Sequence, residues 1–203
     1  ILGSGPGVYV AAIRAGQLGF KTLVIEKDPH FGGTCLHVGC IPSKALLHTA
    51  DLLDRIRQAS EHGVVVEGFR LDWATMIKHK DKIVKKNAAG VAYLLRKNLV
   101  ETLQGYGRLA GPGKIEVETS EGSRAVQAKH IVVATGSEPR SLPGLQIDGQ
   151  SVVTNTEMLS LPAQPERIAV VGAGAVGVEF ASMFHSFGTK VTLIEALPMV
   201  LPI

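Results

Sequence analysis

The stretch Val170-Val171-Gly172-Ala173-Gly174 decides how this chain folds, because it recurs near the start as Ile1-Leu2-Gly3-Ser4-Gly5. In both copies an acidic residue follows the first glycine at the same distance: Glu26 in the first copy and Glu195 in the second. Each copy reads as a strand, a Gly-rich turn, a helix and a second strand that ends in the acid. This order is the fingerprint of a βαβ unit that binds a dinucleotide.

The residue types of the fingerprint follow from its chemistry. The first glycine makes a tight turn, the second lets a pyrophosphate approach the backbone, and the third lets the helix pack closely on the sheet. The helix N-terminus attracts the phosphates, and the acid accepts a hydrogen bond from a ribose hydroxyl. The second copy is complete, with Gly172, Gly174 and Gly177, whereas Val8 stands at the third position of the first. We expect Val8 to hold its helix slightly off the sheet without abolishing the site.

The repeat predicts an α/β chain with two Rossmann-like dinucleotide-binding domains. We expect the first domain to span 1–140 and the second to begin in 141–203, with the Pro- and Gly-containing segment 139–149 as the linker. The chain does not begin with Met, and few residues follow the second fingerprint, so we interpret it as an interior fragment of a longer protein.

Short strand candidates predict an antiparallel meander inserted into the first domain. They are Val100–Leu103, Lys114–Thr119 and Ala125–Ala128, with turns at 111–113 and 121–122. The apolar run Ile131–Val133 predicts a buried strand.

A basic stretch between Lys78 and Lys97 has a net charge of +6, whereas the rest of the chain has a net charge of −3, which gives the formal net charge of +3. Apolar residues in and just before this stretch recur at helical spacing, which indicates a helix with its lysines on the solvent side. Tyr93 is the one Phe, Trp or Tyr residue in this stretch, too few for a surface that stacks bases, so we predict no nucleic-acid partner. The composition excludes a disordered chain, and no apolar run is long enough to cross a membrane.

Both cysteines lie in one short loop, at Cys35 and Cys40, shortly after the first fingerprint. Zinc binding needs about four ligands, and His37 is the only further candidate in the loop, so we predict no metal site. A structural disulfide and a catalytic dithiol both stay open. If the two cysteines are bridged, the segment between them cannot be a regular helix, because their Cα atoms would be too far apart. Pro42 predicts the first turn of a following helix, whose N-terminus favours a thiolate at Cys40.

The segment Gly32-Gly33-Thr34-Cys35-Leu36-His37-Val38-Gly39-Cys40-Ile41-Pro42-Ser43-Lys44 resembles the redox motif of the flavin disulfide reductases, the pyridine nucleotide-disulfide oxidoreductase family. The resemblance extends over the whole chain and includes Gly105–Gly107, Ala134–Ser137 and Gly172–Glu179. Within the family, 41–44 is most similar to the branch that oxidises dihydrolipoamide. One departure is His37, where Asn is commoner.

The resemblance implies two cofactors, FAD in the first domain and NAD in the second. The FAD contacts that it implies are Gly3, Gly5, Glu26, Gly33, Thr34, Lys44, Gly107, Thr135, Gly136 and Ser137. The implied NAD contacts are Gly172, Gly174, Gly177 and Glu195, and Glu179 is the implied ion-pair partner of Lys44. Glu195 favours NAD over NADP, because a carboxylate repels a 2′-phosphate.

The resemblance also implies that Cys35 and Cys40 form a catalytic disulfide that oxidises dihydrolipoamide on a lipoyl carrier domain. It further implies a homodimer that is located in a bacterial cytoplasm or a mitochondrial matrix, with no membrane partner. Two alternatives remain open: a mercuric or glutathione-type reductase of the same fold, and a flavin-binding redox sensor without turnover.

Overall fold

A computed structural model describes residues 1–201 of the chain. Its helices and strands have the following bounds in chain order: α1 Pro6–Gln17, β1 Leu23–Glu26, α2 Gly33–His37, α3 Cys40–Gln58, α4 Trp73–Lys97, β2 Glu101–Gln104, β3 Tyr106–Gly111, β4 Lys114–Thr119, β5 Gly122–Gln127, α5 Asn155–Met158, β6 Arg167–Val171, α6 Ala175–Phe187 and β7 Lys190–Ile194. A 3₁₀ helix, Ala59–His62, follows α3.

The two halves of the sequence repeat form matching βαβ units. In the first unit the backbone N–H of Gly3 donates to the carbonyl of Ile25 at 2.9 Å, and in the second the N–H of Gly172 donates to the carbonyl of Ile194 at 2.8 Å. The strands of the second unit, β6 and β7, pair in parallel. The α/β fold class with two dinucleotide-binding units is therefore confirmed.

The chain divides into two compact units, and the division falls inside α3 and α4. The first unit comprises residues 1–40 and 84–147, and the second comprises 41–83 and the residues from Asp148 onward. The helical segment 41–83 thus groups with the second βαβ unit. The assignment of 1–140 and 141–203 as the two cofactor domains stays a prediction.

The antiparallel meander is present, but it consists of other strands than the sequence predicts. The order is β3-β4-β5, and the prediction of Lys114–Thr119 is confirmed. The strand predicted at Val100–Leu103 is present as β2, but its assignment to the meander is wrong, because β2 pairs in parallel with β1. The prediction missed β3 because its alternating residues are largely exposed and carry little apolar periodicity. Strand β5 also begins earlier than Ala125, at Gly122.

The run Ile131–Val133, predicted to be a buried strand, lies beside Leu2 but is neither a regular strand nor buried. It is joined to Leu2 by a parallel bridge at Val133, with Leu2 N–H donating to the carbonyl of Val132 at 2.8 Å. Val132 and Val133 are 46% and 56% exposed. The prediction of a buried strand is therefore wrong, because the segment pairs through an isolated bridge and only Ile131 packs against the core.

The basic helix forms as predicted, as the 25-residue α4. Met76, Val91 and Leu95 are buried along one side, and most of its lysines are exposed. The exception is Lys80, which is only 4% exposed and whose Nζ lies 2.5 Å from Oδ1 of Asp81. The prediction that all the lysines face solvent is therefore wrong at Lys80, whose charge is instead offset by its neighbour in sequence.

Val8 is fully buried at the position that corresponds to Gly177. A Cβ atom at Gly177 would lie 1.9 Å from the carbonyl oxygen of Gly172, a separation that side chains do not adopt. Helix α1 must therefore approach its turn less closely than α6 does. In the full-length protein we expect Val8→Gly to lower the melting temperature, because the position of α1 already accommodates the valine: the variant leaves a cavity at a fully buried position and adds a helix-propensity cost of up to about 1 kcal/mol. A higher melting temperature would show that Val8 still overpacks the turn.

Candidate functional site

The first glycine turn combines a tight side with an open side. Gly3 has a φ of +99°, and a Cβ there would lie 2.3 Å from the carbonyl oxygen of Ala134. Beside Gly5 and Gly7, in contrast, a Cβ would meet no atom within 4 Å. Gly5 is the N-cap of α1 and no side chain caps it, so the N–H groups of the first helical turn point toward this open side. The turn suits an anionic ligand such as a pyrophosphate.

The second glycine turn repeats the open side of the first, whereas its first glycine, Gly172, has no neighbour within 4 Å of a Cβ position. Gly172 has a φ of +103°, and a Cβ on Gly174 would meet no atom within 4 Å. Gly174 is the N-cap of α6, again without a capping side chain. Gly177 lies against Gly172, as the fingerprint predicts for the third glycine. The second turn therefore offers a second open, uncapped helix N-terminus to a phosphate.

The two strand-end acids occupy matching places with different surroundings. Glu26 is buried and its Oε1 accepts a hydrogen bond from the N–H of Asp28 at 3.0 Å. Glu195 is half-buried, and it accepts hydrogen bonds from the N–H of Ala173 at 2.7 Å, Ala196 at 2.7 Å and Leu197 at 2.9 Å.

These backbone donors, that of Ala173 first, hold the pKa of Glu195 below its ordinary value. The stabilisation that they give the turn is present above the unfolded-state pKa of this carboxyl. It is lost as the pH falls through the lower folded-state pKa.

Cys35 and Cys40 form a disulfide, with their Cα atoms 4.6 Å apart. Cys35 lies within the five-residue α2, and Cys40 is the first residue of α3. The helix is interrupted between them, as the sequence predicts for a bridged pair. Gly39 makes the close approach possible, since a Cβ there would lie 2.9 Å from the carbonyl oxygen of Thr34. Cys35 is half-buried, whereas Cys40 is exposed.

Helix α2, which carries Cys35, packs directly on the first glycine turn. The N–H of Gly32, the N-cap of α2, donates to the buried hydroxyl oxygen of Ser4 at 3.0 Å. A Cβ on Gly33 would lie 2.6 Å from the Cα of Gly5. The sequence did not identify Ser4, because the middle position of the G-x-G pattern carries no residue signal of its own.

The side chain of His37, the last residue of α2, points back toward Phe31, two residues before the start of that helix. Its Nε2 lies 3.1 Å from the carbonyl oxygen of Phe31. Since a carbonyl only accepts, Nε2 carries the proton and donates. The ring of His30 lies beside it, with centroids 5.9 Å apart. The sequence singled out His37 as a departure from the family pattern but gave it no role.

Lys44 and Glu179, which the resemblance implies to be an ion pair, form a salt bridge within the second compact unit. The lysine side chain is 59% exposed and that of the glutamate 40%. Lys44 lies one helical turn after Cys40 in α3, so the two residues lie on the same face of that helix.

The remaining predicted cofactor residues lie in the first unit. Gly107 packs on the core of the meander, where a Cβ would lie 2.5 Å from Cδ2 of Leu2. Thr135, Gly136 and Ser137 are exposed and follow Ala134, which lies against the glycine turn. Thr34 is also exposed. Their contacts with a cofactor stay a prediction.

Two further features of residues 1–201 bear on other classes of function. No cluster of three or more His, Cys, Asp or Glu side chains in this part of the chain is arranged to hold a metal ion. Among the same residues, every helix is too short or too polar to cross a membrane.

The chain matches the family of the pyridine nucleotide-disulphide oxidoreductases over residues 1–203. It is 47% identical to the dihydrolipoyl dehydrogenase of Bacillus subtilis, with 100% of this chain and 44% of the relative aligned. It is 45% identical to the mitochondrial dihydrolipoyl dehydrogenase of Pisum sativum, with 100% of this chain and 41% of the relative aligned. The chain thus spans less than half the length of these relatives.

Two solved structures share the fold over nearly the whole chain. LpdA from Mycobacterium tuberculosis superposes with a TM-score of 0.88 at 28% identity, covering 100% of this chain and 45% of LpdA. The flavoprotein disulfide reductase RclA from Escherichia coli, solved as a Cu(II) complex, superposes with a TM-score of 0.85 at 27% identity, covering 99% of this chain and 42% of RclA.

Proposed function

Because the chain belongs to the pyridine nucleotide-disulphide oxidoreductase family, we propose that it is part of a dihydrolipoyl dehydrogenase. Such an enzyme oxidises dihydrolipoamide through a protein disulfide and FAD and passes the electrons to NAD⁺. The observation that carries the proposal is the position of the Cys35–Cys40 disulfide. Cys35 lies in α2, and α2 packs on the open glycine turn through the contact of Gly33 with Gly5. A purely structural disulfide needs no such neighbour.

The first turn fits the pyrophosphate of FAD. The space beside Gly5 is open, the N-terminus of α1 is uncapped, and Glu26 ends the adjacent strand, where a ribose hydroxyl can donate to it. We assign FAD to the residues named for it above, and NAD to the equivalent turn in the second unit. When bound, FAD supplies a two-electron acceptor that takes electrons from the dithiol and delivers hydride to NAD⁺.

The positions of the two sulfurs favour one direction of attack. A thiolate of dihydrolipoamide attacks Sγ of Cys35, the Cys35–Cys40 bond breaks, and Cys40 leaves as a thiolate. Cys40 is the better leaving group because it begins the 19-residue α3, whose N-terminus stabilises negative charge. Cys40 is the more exposed of the two cysteines, so exposure alone would favour attack there. We assign the attack to Cys35 because the start of α3 makes Cys40 the better leaving group.

The second thiol of the substrate completes the exchange. It attacks the substrate sulfur of the mixed disulfide, lipoamide forms as a cyclic disulfide, and the sulfur of Cys35 is released as a thiol after taking up a proton. Both electrons then reside in the Cys35–Cys40 dithiol. Lys44, held by Glu179, places a positive charge one turn further along α3, on the side of that helix where the Cys40 thiolate forms.

We expect NAD(H) to be used in preference to NADP(H), because the Glu195 carboxylate repels a 2′-phosphate. Glu195→Gln removes the charge and should shift the ratio of kcat/KM values toward NADPH by about tenfold. Glu195→Ala should shift the ratio similarly and also raise KM for both coenzymes, because the turn loses its hydrogen bond at Ala173. A wild-type preference for NADPH would contradict the assignment of Glu195.

The proposed substrate is dihydrolipoamide carried on a lipoyl domain, and the proposed assembly is a homodimer. The named relatives come from bacteria and from mitochondria. We accordingly propose the cytoplasm of a bacterium or the matrix of a mitochondrion as the compartment.

Steady-state assay of the full-length protein tests the proposal. Turnover of dihydrolipoamide with NAD⁺ should exceed turnover of oxidised glutathione or Hg(II) with NADPH. The reverse order would identify a sister reductase, and no turnover with any pair would indicate a redox sensor; either result contradicts the proposed function.

A further inference from the structure

Helix α2 is too short to hold itself together. It has five residues, Gly33–His37, little more than one turn, and isolated helices of this length do not persist in water. Its backbone N–H groups gain little from helix formation alone. Cys35 therefore depends on contacts outside the helix for its position.

Besides the packing of Gly33 on Gly5 and the burial of Leu36, three bonds fix α2, one at each end and one from its middle. At the start, the N–H of Gly32 donates to Ser4, and from the middle the disulfide ties Cys35 to Cys40. At the end, the ring of His37 reaches back over the helix and donates to the carbonyl oxygen of Phe31 at 3.1 Å. Reduction removes the disulfide and leaves two of the three.

We propose that His37 is a positioning residue for the redox pair: its bond to Phe31 keeps α2 folded, and so keeps Cys35 beside Cys40, after the disulfide is reduced. The inference rests on the proposed redox role of the cysteines.

The disulfide and the His37 hydrogen bond each require an ordered α2, so the conformational entropy lost on ordering this helix is lost once for both. Whichever forms first makes the other easier to form, so the two are positively coupled, and coupling is reciprocal. Loss of the His37 bond lets the reduced helix loosen and lowers the effective concentration of one thiol at the other. The disulfide then becomes easier to reduce.

The test is a thiol–disulfide equilibrium in the full-length protein, stripped of bound flavin, at fixed pH in anaerobic glutathione buffers. Two glutathione thiols reduce one protein disulfide, giving the Cys35–Cys40 dithiol and one glutathione disulfide. Alkylation followed by mass measurement of the peptide counts the free thiols. No flavin, coenzyme or lipoamide takes part, so the outcome is independent of the proposed enzyme activity.

His37→Phe keeps a planar ring but has no donor, and it should raise the equilibrium constant for reduction by about two- to tenfold, the range of one hydrogen bond. His37→Gln restores an N–H donor and should return the constant to within twofold of wild type, a rescue that a merely structural role would not require. His30→Phe changes the neighbouring ring without touching the bond and should leave the constant unchanged.

An unchanged constant in His37→Phe would overturn the proposal, as would an equal shift in His37→Gln. If His37→Phe does not fold, His37→Leu takes its place as the variant without a donor, with the same expected shift. A shift in His30→Phe as large as that in His37→Phe would assign the effect to ring packing and would also overturn the proposal.

Discussion

Replacement of Cys40 by serine in the full-length protein should lower kcat for dihydrolipoamide oxidation by at least about a thousandfold. Serine cannot form the disulfide, so the substrate thiolate has no sulfur–sulfur bond to attack. The fold should persist, because Cys40 is exposed at the first residue of α3 and its loss leaves no buried cavity. The measurement is steady-state turnover with NAD⁺, with circular dichroism to confirm folding.

Gln58→Ala is the matched control for this prediction. Gln58 is exposed at the opposite end of the same helix, and its replacement should leave kcat within twofold. Turnover of the Cys40→Ser protein within tenfold of wild type would contradict the disulfide as the site of reaction.

Gly3→Ala and Gly5→Ala should have opposite consequences for folding and for binding. At Gly3 a Cβ would lie 2.3 Å from the carbonyl oxygen of Ala134, and the φ of +99° is unfavourable for alanine. Overpacking of about 1–3 kcal/mol and a left-handed backbone cost of about 1–2 kcal/mol together predict a loss of roughly 2–5 kcal/mol in the free energy of unfolding.

At Gly5 a Cβ meets no atom within 4 Å, and φ is −66°, so the fold should tolerate alanine. The same Cβ stands where a pyrophosphate must approach the backbone, so FAD affinity should fall by at least about tenfold. Gly90→Ala is the control for both, because a Cβ there also meets no atom within 4 Å and Gly90 lies inside α4 rather than in the glycine turn. Equal FAD affinity in Gly5→Ala and wild type would remove the first turn from the cofactor site.

The repeat made the two βαβ units predictable, because glycine spacing and a strand-end acid report on backbone geometry directly. The same information could not place Val100–Leu103. A short apolar run indicates a strand but not its partner, and here β2 pairs with β1 rather than with the meander. The exposure of Lys80 was predicted wrongly, because helical periodicity assigns a residue to a side of the helix but carries no information on its ion pair with Asp81.

The candidate site was likewise predictable only in part. The family resemblance implied the Cys35–Cys40 disulfide, and the cysteine spacing predicted that a bridged pair interrupts the helix; the structure has both. The support that α2 receives from Ser4 and Phe31 was not predictable, because the first depends on a contact between residues 28 positions apart and the second on a backbone carbonyl. Carbonyl groups are present at every position and leave no trace in a sequence.

The most direct test of the redox role of Cys35 and Cys40 is an anaerobic titration of the full-length flavoprotein with dihydrolipoamide, followed by visible absorption. We predict that the first two electrons produce a long-wavelength charge-transfer band between the Cys40 thiolate and oxidised flavin, and that Cys40→Ser abolishes this band. Bleaching of the flavin without such a band at any stage of the wild-type titration would contradict the account.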